Sequence, residues 1–160
     1  MKKLYPLLSV LFLIFGCSSP EPINSDKFLI EKNGIWYDKN TNKPYSGRHF
    51  SFYDNGKKQH EGTLKDGKHS GLFTWWRENG QKGYEWNYKN GEKHGLQTSW
   101  YDYDNGLKNV EVTYKDGVRD GLYTMWYENG QKQSDGTWKD GNMIPSKEWN
   151  EDGSVKEWIE

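Results

Sequence analysis

Glycine recurs in this 160-residue chain on a fixed schedule, and the schedule leaves few folds open. Gly47, Gly71, Gly95 and Gly121 open four units, Pro145 opens a truncated fifth, and the spacings are 24, 24, 26 and 24. A second glycine lies inside each unit, at Gly56, Gly80, Gly106 and Gly130. A third follows eleven residues later, at Gly67, Gly91, Gly117 and Gly141. Self-similarity at such a period signals a repeat architecture, in which each unit is one supersecondary element stacked on its neighbours.

Most of these glycines sit in Asn-Gly or Asp-Gly, and ten such dipeptides occupy turn columns, from Asn33-Gly34 to Asp152-Gly153. The dipeptides supply the positive φ that type I′ hairpin turns need. Glu-Asn-Gly-Gln-Lys at 78–82 returns unchanged at 128–132 and reads as a hairpin tip. Asp135-Gly136 falls in mid-strand by this register. Turns every 11–13 residues leave room only for short strands, and no segment shows a helical period. The chain therefore reads as all-β: an elongated antiparallel meander of stacked hairpins, in units of about 24 residues.

The second strand of each unit alternates. Glu61, Glu85, Glu111 and Asp135 share a face with Thr63, Asn87, Thr113 and Thr137, and with Lys65, Lys89, Lys115 and Lys139. The other face carries Leu64, Tyr88, Tyr114 and Trp138, with Gly62, Trp86, Val112 and Gly136. One face is solvated and one covered, as in an antiparallel sheet. The first strand holds an aromatic column, Phe52, Trp76, Trp100, Trp126 and Trp149, whose regular recurrence favours packing. The two-residue insertion of the third unit is even, so it preserves alternation. A two-residue Asn-Gly loop sets Trp75 opposite Tyr84 and Phe73 opposite Trp86; a three-residue loop with a glycine bulge sets Leu72 opposite Trp86. The sequence leaves both open.

Composition narrows the function classes. The chain has 22 Lys+Arg against 23 Asp+Glu, without the basic excess of an electrostatic nucleic-acid binder. Mean hydropathy is −1.13, yet nine Trp and eleven Tyr argue against disorder. Met1-Lys2-Lys3, the apolar run Leu4–Phe15 and Gly16-Cys17-Ser18 have the layout of an export signal, too short for an ordinary membrane span. Residues 1–16 then form the signal, 17–26 a lipidated cysteine and flexible tether, and 27–160 the repeat domain with units near 47, 71, 95, 121 and 145. Cys17 is the only cysteine, so no internal disulfide can form. Ile14-Phe15-Gly16-Cys17 resembles the lipobox of bacterial lipoproteins, with Phe15 in place of the usual small residue. That resemblance implies an acylated Cys17 holding the chain to a membrane. Ser18 after the cysteine resembles the outer-membrane signal of two-membrane bacteria.

The string Gly-x-x-x-x-Trp-x-x-x-Asn-Gly-Gln-Lys, followed by Tyr/Trp-Lys-Asp/Asn-Gly-x-x-x-Gly, resembles the variant MORN repeat, with its best copies at Gly71–Gly95 and Gly121–Gly141. The resemblance covers roughly residues 34–158. It implies membrane-lipid binding, dimerisation or scaffolding, and bacterial members are often labelled antitoxin-like components of toxin–antitoxin pairs. A lipid anchor sits badly with neutralising a cytoplasmic toxin. The hairpins also resemble choline-binding wall repeats, where aromatics cage cations, and Gly34-Ile35-Trp36-Tyr37 comes near that pattern.

No nucleophile elbow, P-loop or zinc motif is present, and the repeated carboxylates are equivalent to one another, unlike a glycosidase pair. No catalytic residue, cofactor or metal site is expected. His69 and His94, in inter-unit turns, read as exposed turn residues. The leading function is a protein-interaction scaffold at the cell envelope. The alternatives are a module for cell-wall glycan or lipid headgroups, and an antitoxin-like role. Expected partners are the membrane through Cys17, an envelope protein, a glycan, or a second copy paired along an exposed sheet edge. Phe73, Trp75, Tyr84, Tyr123 and Met125 are the candidate binding surface: a site if they form a solvated patch or cage, core if neighbouring strands cover them.

Overall fold

Two kinds of turn alternate along the chain, and they set the register of everything between them. In the computed structural model, which describes residues 20–102 and 106–156, the between-unit turns Asp66-Gly67, Asn90-Gly91, Asp116-Gly117 and Asp140-Gly141 have both φ angles positive. Asn33-Gly34 does the same. These are two-residue type I′ turns, whose twist matches that of the flanking strands.

The tips inside the units take the other of the two loops that the sequence left open. At Asn55-Gly56, Asn79-Gly80 and Asn129-Gly130 only the glycine has positive φ. In the second unit the Gly80 amide donates to the Arg77 carbonyl and the Arg77 amide to the Gln81 carbonyl, both at 2.8 Å. The loop is the three-residue form. The Asn79 carboxamide oxygen accepts from the Gln81 amide at 2.9 Å, and Asn55 and Asn129 repeat the contact with Lys57 and Gln131. Asn55 and Asn129 also donate to the carbonyls of Glu78 and Glu151 in the next tip, at 3.1 and 2.8 Å. The repeated Asn thus builds its own tip and links it to the next.

The three-residue loop alone would place Leu72 opposite Trp86. A bulge at Gly83 shifts the ladder back, so Phe73 pairs with Trp86 and Trp75 with Tyr84. The structure therefore combines the longer loop with the register of the shorter one. Gln59, Asn109 and Gln133 occupy the same bulge in the other units.

The strands are β1 (Ile23–Asn24), β2 (Leu29–Lys32), β3 (Ile35–Asp38), β4 (Gly47–Phe52), β5 (Lys58–Lys65), β6 (Lys68–His69), β7 (Gly71–Trp76), β8 (Lys82–Lys89), β9 (Glu92–Trp100), β10 (Lys108–Lys115), β11 (Val118–Trp126), β12 (Lys132–Lys139) and β13 (Asn142–Glu148). Eleven of them form one sheet in the order β1-β4-β5-β7-β8-β9-β10-β11-β12-β13, with β6 beside β5. Neighbours pair antiparallel except β1, which runs parallel to β4. The all-β meander is the observed fold.

The N-terminal end is more folded than its composition indicated. Ile23-Asn24 form β1, and the Asn24 side chain caps the single helical turn α1 (Ser25–Phe28) through the Lys27 amide. Ser25 is 1% exposed and its hydroxyl donates to the Phe50 carbonyl at 3.0 Å. The stretch from Ile23 to Asp26, assigned above to the tether, thus belongs to the fold. The β2–β3 hairpin forms a separate two-stranded sheet and docks on the first between-unit turn. There the Trp36 amide donates to the Gly67 carbonyl, and the Gly67 amide to the Tyr45 carbonyl, both at 2.8 Å. Leu29 and Leu64 are the most deeply buried aliphatics among the described residues, so the apolar core is small and sits chiefly at this end.

Candidate binding surface

The pairing places each repeat column on one of two faces, and the faces differ chemically. On the first, a row crosses the sheet in the order Phe52, Lys58, Trp76, Lys82, Trp100, Lys108, Trp126, Lys132. Each Lys lies over the aromatic ring of the following unit: Lys58 over Trp76 at 5.4 Å, Lys82 over Trp100 at 5.7 Å, and Lys108 over Trp126 and Lys132 over Trp149 at 5.8 Å. The same lysines pair with Glu61, Glu85, Glu111 and Asp135 at 2.6, 2.5, 2.5 and 3.1 Å. The carboxylate column is therefore balanced by these lysines and not by Lys65, Lys89, Lys115 and Lys139, because a residue three places back in a bulged strand comes to the same face. Exposed cation–π contacts contribute about 0.5–1 kcal/mol each and exposed ion pairs about 0.2–1 kcal/mol, so the ladder matters through repetition.

A second row on this face is apolar and open. Leu72, Leu96, Leu122 and Ile144 share a register across alternate strands and are 49%, 47%, 72% and 49% exposed. Alternate strands lie about 9.6 Å apart, so the row repeats at that interval. Its sequence signal is plain in hindsight: Gly71, Gly95 and Gly121 are each followed by leucine.

The opposite face holds the five residues proposed from sequence. Phe73, Trp75 and Tyr84 come together in one cluster. Trp75 stacks on Tyr84 at 5.1 Å and 12°, and Tyr84 on Trp86 at 4.0 Å and 17°. Tyr123 and Met125 lie apart, two units along, where Tyr123 meets Trp138 edge-on at 6.3 Å. Between the two groups the face is lined by Gln97, Ser99, Val110 and Val112, smaller residues that break the aromatic surface. All five candidates are half-buried, so they form neither a fully exposed patch nor a closed core. Lys93 lies over Trp86 at 3.7 Å and Arg119 over Trp138 at 4.8 Å, so the protein's own cations cover the two tryptophans beside the candidates.

Next to this cluster the structure gathers three histidines that sequence reasoning scattered. His49 lies 5.4 Å from His60 and 5.8 Å from His69 between ring centroids, beneath Trp36 and beside Phe73. His69 stacks on Tyr88 at 5.0 Å, so it is a packed residue rather than the exposed turn residue expected. His94 does lie more open, against Asp116 at 3.1 Å. Burial, reinforced by His60 and His69, lowers the His49 pKa to about 3. Burial also holds His60 and His69 below the usual range, against an opposing pull from Asp26 on His60. The His60 ring nitrogens are taken by the hydroxyls of Ser25 at 2.9 Å and Ser51 at 2.8 Å. Among the described residues no group of three or more His, Cys, Asp or Glu is placed to hold a metal ion.

The regular ladder, two-turn hairpin and cross-unit latches recur with one phase. Residues 45–66 and 119–140 match the MORN repeat variant. The matches run from two residues before a unit glycine to the Asp of a type I′ turn. One coincides with the fourth unit singled out above; the other is the first unit rather than the second. By pairing register, hairpins of the same form continue through the strands between the two matches. MORN repeats are commonly found in membrane- or lipid-binding and in protein-interaction roles. No curated protein matches the chain.

The sheet edge bears on the expected edge-paired dimer. The Asp140-Gly141 turn makes Lys139 and Asn142 the first hydrogen-bonded pair, so Met143 directs its backbone outward. Pro145 has no N–H to offer to a further strand, a feature tolerated at a sheet edge. Among the described residues no helix is long and apolar enough to cross a membrane, and Cys17 lies outside them.

Proposed function

We propose that this chain is a non-catalytic scaffold, held at the cell envelope through a lipidated Cys17, that presents its repeat sheet to a protein partner. The observation that carries the reading is the aliphatic row Leu72, Leu96, Leu122 and Ile144. It is regular, solvated and flanked on one side by internally neutralised charges, so partner apolar groups can dock there without leaving an unpaired buried charge. On the other face Lys93 already lies over Trp86 and Arg119 over Trp138, and the remaining rings are half-buried, which favours the aliphatic row as the docking surface.

The test has two arms. Metabolic labelling with an acyl-chain analogue should mark the wild type and not Cys17→Ser, and an unlabelled wild type rejects the anchor. A photo-crosslinker at position 96 should give one discrete adduct in cells, lost in a folded Leu72→Glu/Leu122→Glu variant. Trp75→Ala/Tyr123→Ala serves as the opposite-face comparison. Loss of the adduct in that variant alone would transfer the surface to the aromatic face, and absence of any adduct would reject a protein partner there.

A further inference from the structure

The repeat supplies its own control, because a residue that breaks a column in one unit stands out against the others. Three columns break together in the first unit, all on the face that carries the carboxylates. Arg48 stands where later units have Leu72, Leu96 and Leu122. Phe50 replaces Thr74, Thr98 and Thr124, and Phe52 replaces the tryptophan. The three departures converge on one groove of about 460 Å³, floored by Phe50, Phe52 and Leu72 and bordered by Arg48 and Glu21. That volume falls in the ordinary range for small-ligand sites, which combine an apolar lining with a few convergent polar groups.

Packing does not account for the whole set. Phe50 and Phe52 meet edge-on at 5.2 Å, yet Phe52 stays 47% exposed and Leu72 49% exposed. The charges divide into a spent pair and a free pair. Lys58 and Glu61 neutralise one another at 2.6 Å. Arg48 and Glu21 are exposed, and neither side chain makes an ion pair or hydrogen bond among the described residues.

A matching ligand has an apolar body, a carboxylate for the planar fork of Arg48, and a cationic group for Glu21. A fatty acid supplies the first two and brings a second negative charge near Glu21. A peptide end supplies all three. We propose that the groove binds the C-terminal end of a peptide, with an apolar last side chain on Phe50, Phe52 and Leu72. Its terminal carboxylate lies on the Arg48 guanidinium and a basic group from a preceding residue lies toward Glu21. Capture of a chain terminus is an established recognition mode. The inference adds an end-on contact to the scaffold reading and shares only Leu72 with it; its tests alter Arg48 and Glu21, so its failure leaves the cross-link at position 96 intact, and the reverse holds.

The test is isothermal titration of the full-length protein in lipid nanodiscs with Lys-Leu-Phe as the free acid, its C-terminal amide, Ala-Leu-Phe, and palmitate. The free acid should bind, and the amide should bind roughly tenfold more weakly, the weight of one charge-assisted contact. Arg48→Gln should impose the same loss on the acid and none on the amide. Glu21→Gln should weaken Lys-Leu-Phe without affecting Ala-Leu-Phe. Both positions are exposed, and unchanged circular dichroism confirms that the variants fold. Equal binding of acid and amide, no binding of any peptide, or preferential uptake of palmitate would each overturn the proposal.

Discussion

Trp75 lies across Gly83 so closely that a methyl group on residue 83 would overlap ring atoms Cε3 and Cζ3. Gly83 is also the bulge that returns the second hairpin to register, so one residue carries both the ladder shift and the seat of the ring. Backbone strain is not the reason for glycine here, since its φ is not positive; space is.

Gly83→Ala should therefore destabilise the protein by about 1–3 kcal/mol, the usual penalty of overpacking. The check is the midpoint of urea unfolding. The double variant Gly83→Ala/Trp75→Leu should recover part of the loss relative to Trp75→Leu alone. Equal losses on both backgrounds would show that the ring and the glycine are not coupled.

Gly34 and Gly67 offer a controlled pair. Their φ angles are 77° and 76°, yet a methyl group on Gly34 meets nothing within 4 Å, while one on Gly67 meets Ile35 Cγ2 at 2.5 Å and the Trp36 carbonyl at 2.8 Å. Gly34→Ala should cost about 1 kcal/mol, from the left-handed conformation alone. Gly67→Ala should cost more, and hydrogen exchange should show the excess as faster exchange in β2 and β3. Similar exchange in the two variants would mean that the hairpin does not depend on this contact.

The histidine cluster sets a direction for pH. His49, His60 and His69 all have lowered folded pKa values, so the unfolded chain binds more protons below the ordinary histidine pKa. Their contribution is present above about pH 6.5 and is lost as the pH falls toward about 3, the value for His49. Thermal unfolding should drop across that window, and His49→Gln should flatten the drop. Asp26, the charge acting on His60 from α1, opposes the effect, so Asp26→Asn should steepen it. A slope unchanged by His49→Gln would assign the acid sensitivity to carboxylates instead.

Neighbouring units are also latched by a column of phenols. The hydroxyls of Tyr53, Tyr101 and Tyr127 donate to the carbonyls of Trp76, Trp126 and Trp149, at 2.7, 2.5 and 2.9 Å, and Arg77 makes the equivalent contact to Trp100 at 2.7 Å. Tyr53→Phe should cost about 1 kcal/mol by leaving one carbonyl without its donor. Tyr127→Phe should cost a similar amount but act locally, seen as faster exchange at Trp149 and its neighbours. No change in either measurement would show that water replaces the phenol.

Much of this is legible in the sequence. The glycine schedule announced hairpins, and the even insertion of the third unit announced that faces would be kept. The alternation of Glu85, Trp86, Asn87 and Tyr88 separated the two faces. Local rules suffice for these, because a turn residue's φ and a strand's period of two depend on the residue and its immediate neighbours. The tips were less legible: Asn-Gly suits both a two-residue and a three-residue loop, and the deciding bulge lies several residues away at Gly83.

The candidate site divides the same way. Phe73, Trp75 and Tyr84 were identifiable as rings of one repeat, yet their half-burial depends on Gly83, Trp86 and the neighbouring strands. His49, His60 and His69 sit at unrelated offsets in the repeat, so only pairing of β4, β5 and β6 brings them together. Arg48, Phe50 and Phe52 become a groove only where Glu21 and Pro22 close its side. The sequence by itself determined the turns, the strand alternation and the repeated unit, because those are short-range steric preferences. The tertiary structure alone decided which rings are covered, which charges are left unpaired and where histidines meet, because those depend on contacts between residues far apart in the chain.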